Sequence, residues 1–550
     1  MKHSAPGCLT GLLLLVVLAL PAEAAEPLQF RFRDVTRELG VLPAVEGMYG
    51  HAAAWGDADG DGRLDLYVGA FTKGESTTNR LLLNREQGFT LHEQPELRVA
   101  ARSSGAVFAD FDNDGDNDFY LSNLAGGRQS PETTENFLFR NEGGGKFTNI
   151  TAASGSAPAE FRGRSVAAFD YNGDGLLDLL LGESTAYGSA EHSRLLKNEG
   201  GLKFKDVTAA AGLPEKLPGL GVAAGDLTND GWPDVVFVAG AGNLRVFINN
   251  REGAFREAPK ASAVLQEAWK GARGDNMVCG VCLGDVNGDG RLDVVIGPHY
   301  ERPWLEPVAV RLYLNRGGEG ESLELEDVTE AAGLTPLALK APHVELHDFD
   351  NDGRLDLYTS IVTNIEGAPQ PMIFRQTGLS DGVPQFREDI SSRTDFPTAE
   401  DRAITRTGSF FEKMVADKKV TYMAAAPAGD FDNDGRIDLF LASWWPELPS
   451  LLLKNETQGG NWLTLRAGEH KGLNRSGIGL RVYAYTAGKA DDPAALLAWR
   501  EISAGYGYSC GQPALAYLGF ELAEERDLAG SYLRRGVAAN QVIEISPAAE

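Results

Sequence analysis

Apolar residues in this chain come in short bursts of four kinds that recur in a fixed order. The first kind is rich in small residues and ends on an Asp: GHAAAWGD, GAVFAD, SVAAFD, GVAAGD, GVCLGD, HVELHD and APAGD. The second is β-branched, aromatic and leucine-rich, as in LDLYVG, LDLLLG, PDVVFV, LDVVIG, LDLYTS and IDLFLA. The third reads NRLLLNR, NFLFRNE, SRLLKNE, LRVFINN, VRLYLNR, PMIFRQ or SLLLKNE, and the fourth KFTNIT, KFKDVT or LEDVT. Runs this short, rich in β-branched and aromatic residues and bounded by turn formers, predict strands rather than helices.

Between the first and second bursts stands a nine-residue polar loop, and its seven copies start 53, 60, 56, 59, 63 and 82 residues apart. A period near 60 residues with four strands in it fits one blade of a β-propeller, so the pattern predicts an all-β chain with a seven-bladed propeller over 26–458 and a small β-rich domain over 459–550. FRFRDVT (Phe30 to Thr36) is a fourth-type strand with no blade before it, while the seventh unit ends at SLLLKNE without one. The N-terminal strand is expected to complete the last blade and so remove two free sheet edges.

The loops carry the chemistry. Positions 1, 3, 5 and 9 are Asp57, Asp59, Asp61 and Asp65 in the first copy and Asp110, Asp112, Asp114 and Asp118 in the second. The third, fourth and fifth read Asp170, Asn172, Asp174 and Asp178; Asp226, Thr228, Asp230 and Asp234; and Asp285, Asn287, Asp289 and Asp293. The last two return to four acids, Asp348, Asp350, Asp352 and Asp356, then Asp430, Asp432, Asp434 and Asp438. Position 6 is Gly throughout. Clustered carboxylates around a sharp glycine turn suit calcium, which takes six to eight oxygens, better than magnesium, which keeps most of its waters. An EF-hand would need an acid at position 12, and Val68, Leu121, Leu181, Phe237, Ile296, Thr359 and Leu441 stand there. The expectation is up to seven Ca²⁺ held in β-hairpins, with the three loops substituted at position 3 binding more weakly.

Length and charge change the picture only slightly. The 550 residues are enough for a large packed core. Lys2 and His3, the apolar run Leu12 to Leu20 and the AxA-type site Ala22 to Ala24 read as a secretory signal over 1–25, with cleavage near Ala24/Ala25. That segment is too short for a membrane span and no later stretch approaches one, so the mature chain is expected to be extracellular or periplasmic. The loops hold 25 carboxylates at ligand positions, so they account for most of the net charge of −27, and seven bound calcium ions would reduce it to −13. Such acidity argues against a nucleic-acid partner.

Counting back five and six residues from each first Asp brings His51, Arg164, Cys279 and His343 toward one mouth of the central channel, with Arg102, Arg162 and Lys340 just above. Such a rim suits an anionic ligand or, through His51, Cys279 and His343, a soft or borderline metal; the plainer reading is that propeller channel mouths are wet and collect polar residues. Cys279 and Cys282 form a CxxC, but i and i+3 in a regular strand point to opposite faces, which favours two small buried thiols over a redox pair. A bulge that closed a disulfide is the other reading. Two loops have a composition suited to binding: the insertion Ser391 to Val420, with Phe396, Phe410 and Phe411, and HYERPWLEP, with Tyr300 and Trp304. A short packed helix is an equal alternative for the insertion.

From Phe30 to Asn455 the repeats resemble the FG-GAP or VCBS propellers and are similar to the integrin α-chain head. NWLTLRAGEHKGLNRSGIGLRVYAY and WREISAGYGYSCGQPALAYLGF resemble the ASPIC/UnbV domain of the cartilage acidic protein family. The closing strand of that domain departs from the family pattern, since QVIEISP (Gln541 to Pro547) stands where a Trp-Pro-Ser-Gly-like strand is usual. The resemblance implies a secreted calcium-binding protein with an adhesion or recognition role toward an extracellular protein or polysaccharide, the calcium loops lying opposite the ligand surface. The alternatives are a calcium-dependent enzyme on extracellular polysaccharide and a metal-handling protein built on the Cys/His cluster. No GxSxG or HExxH signature is present.

Overall fold

A computed structural model describes residues 30–71, 78–124, 135–159, 161–183, 192–240, 243–267, 269, 276–388, 390–468, 472–490, 492–520, 525–529 and 534–545. The expected signal segment and its cleavage site lie outside the described residues. Among the described residues no helix is long and apolar enough to cross a membrane.

Repeated four-stranded antiparallel sheets make up most of the fold. The first is Gly50–Gly56, Asp65–Ala70, Arg80–Arg85 and Gly88–Leu91, in chain order from the inside out. The same order recurs in the next five, beginning at Ser103–Ala109, Gly163–Phe169, Gly221–Gly225, Met277–Gly284 and Val344–His347. In the last sheet, Ala428–Gly429, Asp438–Leu441 and Leu451–Asn455 are completed by Phe32–Asp34 from the N-terminus, with Phe32 opposite Asn455. Closure by the N-terminal strand therefore occurs as expected. This architecture of repeated sheets is consistent with a propeller.

Small residues fill the first strands because adjacent sheets approach most closely there. A Cβ on Gly221 would lie 1.9 Å from the Cys279 carbonyl oxygen of the next sheet. Larger side chains fill the wedge farther out, where Tyr67 and Phe119 of neighbouring sheets meet with ring centroids 4.2 Å apart. The last sheet is joined to the first by Trp55, whose Nε1 donates to Pro427 O at 3.0 Å.

The C-terminal residues form two further sheets. Asn461–Ala467 lies between Leu515–Phe520 and Gln541–Ile545, and Arg481–Thr486 lies between Leu496–Glu501 and Glu525–Ala529, which pairs with Arg534–Ala538. Gln541–Ile545 is a strand in spite of its unusual sequence, paired parallel to Leu463 through Ala467.

The two loops expected to offer aromatic rings instead pack on each other. The insertion folds into the helices Ala399–Ala403 and Thr407–Asp417. Phe410 stacks on Trp304 at 3.7 Å with an interplanar angle of 1°, and the Trp304 Nε1 donates to Ile404 O at 2.8 Å. Trp304 is fully buried and so is not available to a sugar, a correction to the composition-based expectation. Composition alone does not distinguish a ring that stacks on a ligand from one that stacks on its own chain. Tyr300 is half-buried against Trp269.

Candidate metal loops and channel

Each acidic loop joins the first two strands of its sheet, and two of its acids shape it from within. The position-1 carboxylate accepts from the backbone of positions 5 and 6; in the first loop Asp61 N and Gly62 N donate to Asp57 at 3.0 and 2.9 Å. The position-9 carboxylate begins the second strand, where Asp65 accepts from Ala58 N at 2.8 Å and Asn84 N at 2.7 Å. The same pair of bonds recurs at Asp118, Asp178, Asp234, Asp293, Asp356 and Asp438. Backbone amides thus hold the position-1 and position-9 carboxylates, while Arg85, Arg140, Arg375 and Lys454 pair with the position-3 acids Asp59, Asp112, Asp350 and Asp432.

Four loops bring three carboxylates within 4.8 Å of one another: Asp57, Asp59 and Asp61; Asp110, Asp112 and Asp118; Asp348, Asp350 and Asp356; and Asp430, Asp432 and Asp438. These are the four-acid loops. Asp59 Oδ1, Asp112 Oδ1 and Asp350 Oδ1 are buried without a hydrogen-bond partner, although buried polar atoms are ordinarily paired. Burial, reinforced by neighbouring carboxylates, pushes Asp65 up to about 7, Asp110 up to about 6 and Asp118 up to about 8. Asp348 rises to about 8 and Asp430 to about 7 for the same reasons. Crowded hard oxygen donors, most of them buried or half-buried and three with an orphaned lone pair, fit a divalent cation, which would relieve both the desolvation and the repulsion. In the third and fifth loops the position-3 amide instead donates to a neighbouring acid, Asn172 to Asp174 at 2.9 Å and Asn287 to Asp289 at 3.0 Å. In the fourth, the Thr228 hydroxyl lies 3.4 Å from Asp234.

One recurrent residue was not recognised from the sequence as part of the site. The third strand ends in Asn84, Asn141, Asn198, Asn249, Asn315, Gln376 or Asn455, and the side-chain amide of each donates to the position-2 carbonyl of the preceding loop. Asn84 reaches Phe431 O at 2.7 Å, which joins the first loop to the last. The signal was present in the repeated LLLN, LFRN, LLKN, VFIN and LYLN strings.

The C-terminal sheets cover the loop face. Arg466 donates to Gly62 O at 3.1 Å, Arg475 N to Asn113 Oδ1 at 2.8 Å, Arg481 to Asp226 O at 2.6 Å and Trp499 Nε1 to Asp285 Oδ2 at 2.6 Å. Gly460 N donates to Asp350 O at 3.1 Å, the Tyr517 hydroxyl accepts from Asp430 N at 3.4 Å, and Gly472 packs on Gly175. Every one of the seven loops is touched.

At the other end of the channel, His51, Arg164 and Cys279 each occupy a bulge. The register slips between Gly50 and Ala52, between Gly163 and Ser165, and between Val278 and Gly280. A bulge re-aims the extra residue's side chain. All three gather round a residue from the C-terminal part, Tyr508. The His51 ring lies 5.8 Å from the Tyr508 ring, the Arg164 guanidinium 5.1 Å above it, and Cys279 packs against it.

His343 is not level with them. It sits beside the backbone, accepting from Tyr508 N at 3.1 Å, with Cys510 Sγ at 3.4 Å and Glu345 at 2.9 Å. Burial opposes charge on both, yet Cys510 and then Glu345 raise His343, and His343 and His347 lower Glu345. Cys279, Cys282 and Cys510 are buried free thiols, so the CxxC is not a disulfide. Burial pushes the Cys279 thiol up to about 12 and raises Cys282 as well. Among the described residues, the groups of three or more potential ligands at metal-binding distance all come from acidic loops.

An FG-GAP-like repeat profile matches residues 57–121, 124–181, 226–296 and 285–359. Cartilage acidic protein 1 of Mus musculus is 26% identical over 98% of this chain and 82% of its own length. The Homo sapiens protein of the same name is 27% identical over 80% of this chain and 62% of its own length. Among solved structures, the exotype rhamnogalacturonan lyase YesX aligns with a TM-score of 0.36 at 12% identity, over 74% of this chain and 72% of that one. AofleA from Arthrobotrys oligospora aligns with a TM-score of 0.33 at 11% identity, over 66% and 90%. At those TM-scores neither likeness carries an argument. The repeat matches fall on the first six acidic loops and the strands around them, and the similarity to the mouse relative extends over nearly the whole chain: this protein carries FG-GAP-like repeats and is a homologue of cartilage acidic protein 1.

Proposed function

We propose that the mature chain is an exported, calcium-stabilised propeller of seven blades (26–458) with an ASPIC/UnbV-like domain (459–550), acting as a non-catalytic recognition scaffold for an extracellular polymer or protein. The observation that carries this reading is the use made of the acids. They converge within their own loops, held by backbone amides, and the C-terminal sheets lie over them. Carboxylates so engaged serve the scaffold, and the candidate contact for a partner is the half-buried Arg164 at the far mouth, which lies over the buried Tyr508 ring near the buried His51.

Metal content of the mature chain after gel filtration in trace calcium tests the first half. Four to seven calcium per chain are expected, three of them lost first on dialysis, from the loops with Asn172, Thr228 and Asn287. A stoichiometric transition metal, or no metal, would sink it. Calcium affinity should fall between pH 8 and pH 6, because protons compete for carboxyls such as Asp110 and Asp118, raised to about 6 and about 8. An affinity flat across that range would count against these groups as ligands. For the second half, the calcium-loaded protein is applied to arrayed acidic and neutral polysaccharides. Binding without bond cleavage, weakened by Arg164→Ala, is expected; release of shortened chains would favour the enzyme alternative.

A further inference from the structure

Four of the seven seams between neighbouring acidic loops are stitched by an Asn at position 4, whose side-chain amide donates to the position-6 carbonyl of the next loop. Asn113 reaches Gly175 O and Asn229 reaches Gly290 O at 2.8 Å, Asn351 reaches Gly435 O at 3.0 Å and Asn433 reaches Gly62 O at 3.5 Å. At the other three seams position 4 is Gly60, Gly173 or Gly288, which has no amide side chain to offer. A cleft lies at each of these three, between the loops and the C-terminal part. The one between the third and fourth loops measures about 460 Å³, against about 360 and 70 Å³ for the others, and falls in the range of about 300–1,000 Å³ usual for small-molecule sites. Its lining also differs. Position 7 of the fourth loop is Trp232, where the other loops have Arg63, Asp116, Leu176, Arg291, Arg354 and Arg436. Trp232 is half-buried, as are Leu480 and Tyr483, which line the cleft with it.

We propose that this cleft is a subsite for a neutral saccharide, with a sugar ring stacked on Trp232. The proposal rests on the recognition reading above in its polysaccharide form. Charge decides the ligand class. The cation at the cleft, Arg481, is committed to its own chain, donating to Asp226 O at 2.6 Å, Asn229 Oδ1 at 2.7 Å and Glu501 Oε2 at 2.9 Å, so it is not free to hold a carboxylate or sulfate. The Trp232 Nε1 and the Ser503 hydroxyl, both neutral, have no hydrogen-bond partner among the described residues. A pyranose suits such a lining: its C–H face packs on an indole, and its hydroxyls both donate and accept. A cationic amine also stacks on an indole. The acid it would need is Asp170, which accepts at 2.8 Å from both Gly173 N and Gly175 N within its own loop.

The test titrates the mature protein in calcium with tetrasaccharides of glucose, mannose and galactose, and with tetragalacturonate and choline as charged probes, by tryptophan fluorescence and calorimetry. One neutral tetramer is expected to bind with a dissociation constant of roughly 1 mM or tighter. Trp232→Ala should weaken it about tenfold or more, and Trp232→Tyr much less. Gly173→Asn is the sharper variant. It supplies the missing amide at a φ of 69°, close to the 59° and 56° of Asn113 and Asn229, and its Cβ, 2.9 Å from the Trp232 ring, displaces that ring. It should abolish binding without lowering the melting temperature; should Trp232→Ala fail to fold, this variant decides. Parent-like affinity in Gly173→Asn, preference for a charged probe, or no binding of any neutral tetramer overturns the subsite. Binding lost in Arg164→Ala but kept in Trp232→Ala also overturns it, and leaves the recognition reading standing with the sugar at the far mouth. Tetramers shortened during the titration, with binding still dependent on Trp232, would instead fail the non-catalytic reading and leave the cleft in place.

Discussion

Chelating divalent cations lowers the melting temperature of the mature chain by on the order of 10 °C or more. Extracellular calcium sites commonly bind at about 10⁻⁴ to 10⁻³ M, so each contributes about 1.4 kcal/mol at ten times its dissociation constant, and seven sum to roughly 10 kcal/mol. That is comparable to the whole stability of a domain. For a chain this long each kcal/mol moves the transition by only about 1–2 °C, which sets the size of the shift. The effect also depends on pH in a definite sense. Carboxyls such as Asp65 and Asp348, pushed up by burial to about 7 and about 8, destabilise the cation-free fold when ionised. That penalty is absent below the ordinary carboxylate range and grows as pH rises through the raised values. Chelated protein should therefore be less stable at pH 8 than at pH 6, and the gap between loaded and chelated protein should be wider at pH 8. Differential scanning calorimetry at both pH values checks this; a transition indifferent to chelation would leave the loops as ordinary acidic turns.

Replacing Asn84 by Asp should destabilise the fold by about 3–5 kcal/mol. Its Nδ2 donates to Leu64 O at 3.1 Å and to Phe431 O at 2.7 Å, and both carbonyls are away from solvent. An Asp of the same shape sets an oxygen against them, close to the Asp65 carboxylate that accepts from the backbone N of residue 84 at 2.7 Å. Three acceptors would then face one another where a donor is needed. Asn84→Ala removes the bonds without adding that repulsion and should lose less, about 2 kcal/mol. Urea unfolding of the two variants in calcium reads the difference. If Asn84→Asp lay within about 1 kcal/mol of the parent, the amide would not be what holds the first loop to the last.

Much of the fold was legible in the sequence because its determinants are local. The acid spacing around Gly62 and its counterparts, the strand-like bursts on either side, and the unpartnered Phe30 to Thr36 strand all lie within one period, and period-2 and turn chemistry act over a few residues. The difference between loops with Asp and those with Asn or Thr at position 3 was equally visible, since the donor chemistry is written in the residue type. Other features were settled only by tertiary structure. The Asn near the end of six of the seven third strands, replaced by Gln376 in the sixth, is conspicuous in sequence, but its role depends on which carbonyl of another sheet lies within reach, Phe431 O in the case of Asn84. Trp304 and Phe410 look like ligand contacts until they are found stacked on each other. His51, Arg164 and Cys279 acquire a common aim from bulges that strand periodicity does not reveal. Cys510 meets His343 across 167 residues of sequence because the C-terminal chain runs through the channel. Spacing specifies what a residue can bond to. Only the packing of distant segments decides which partner is present and which surface is left open to solvent.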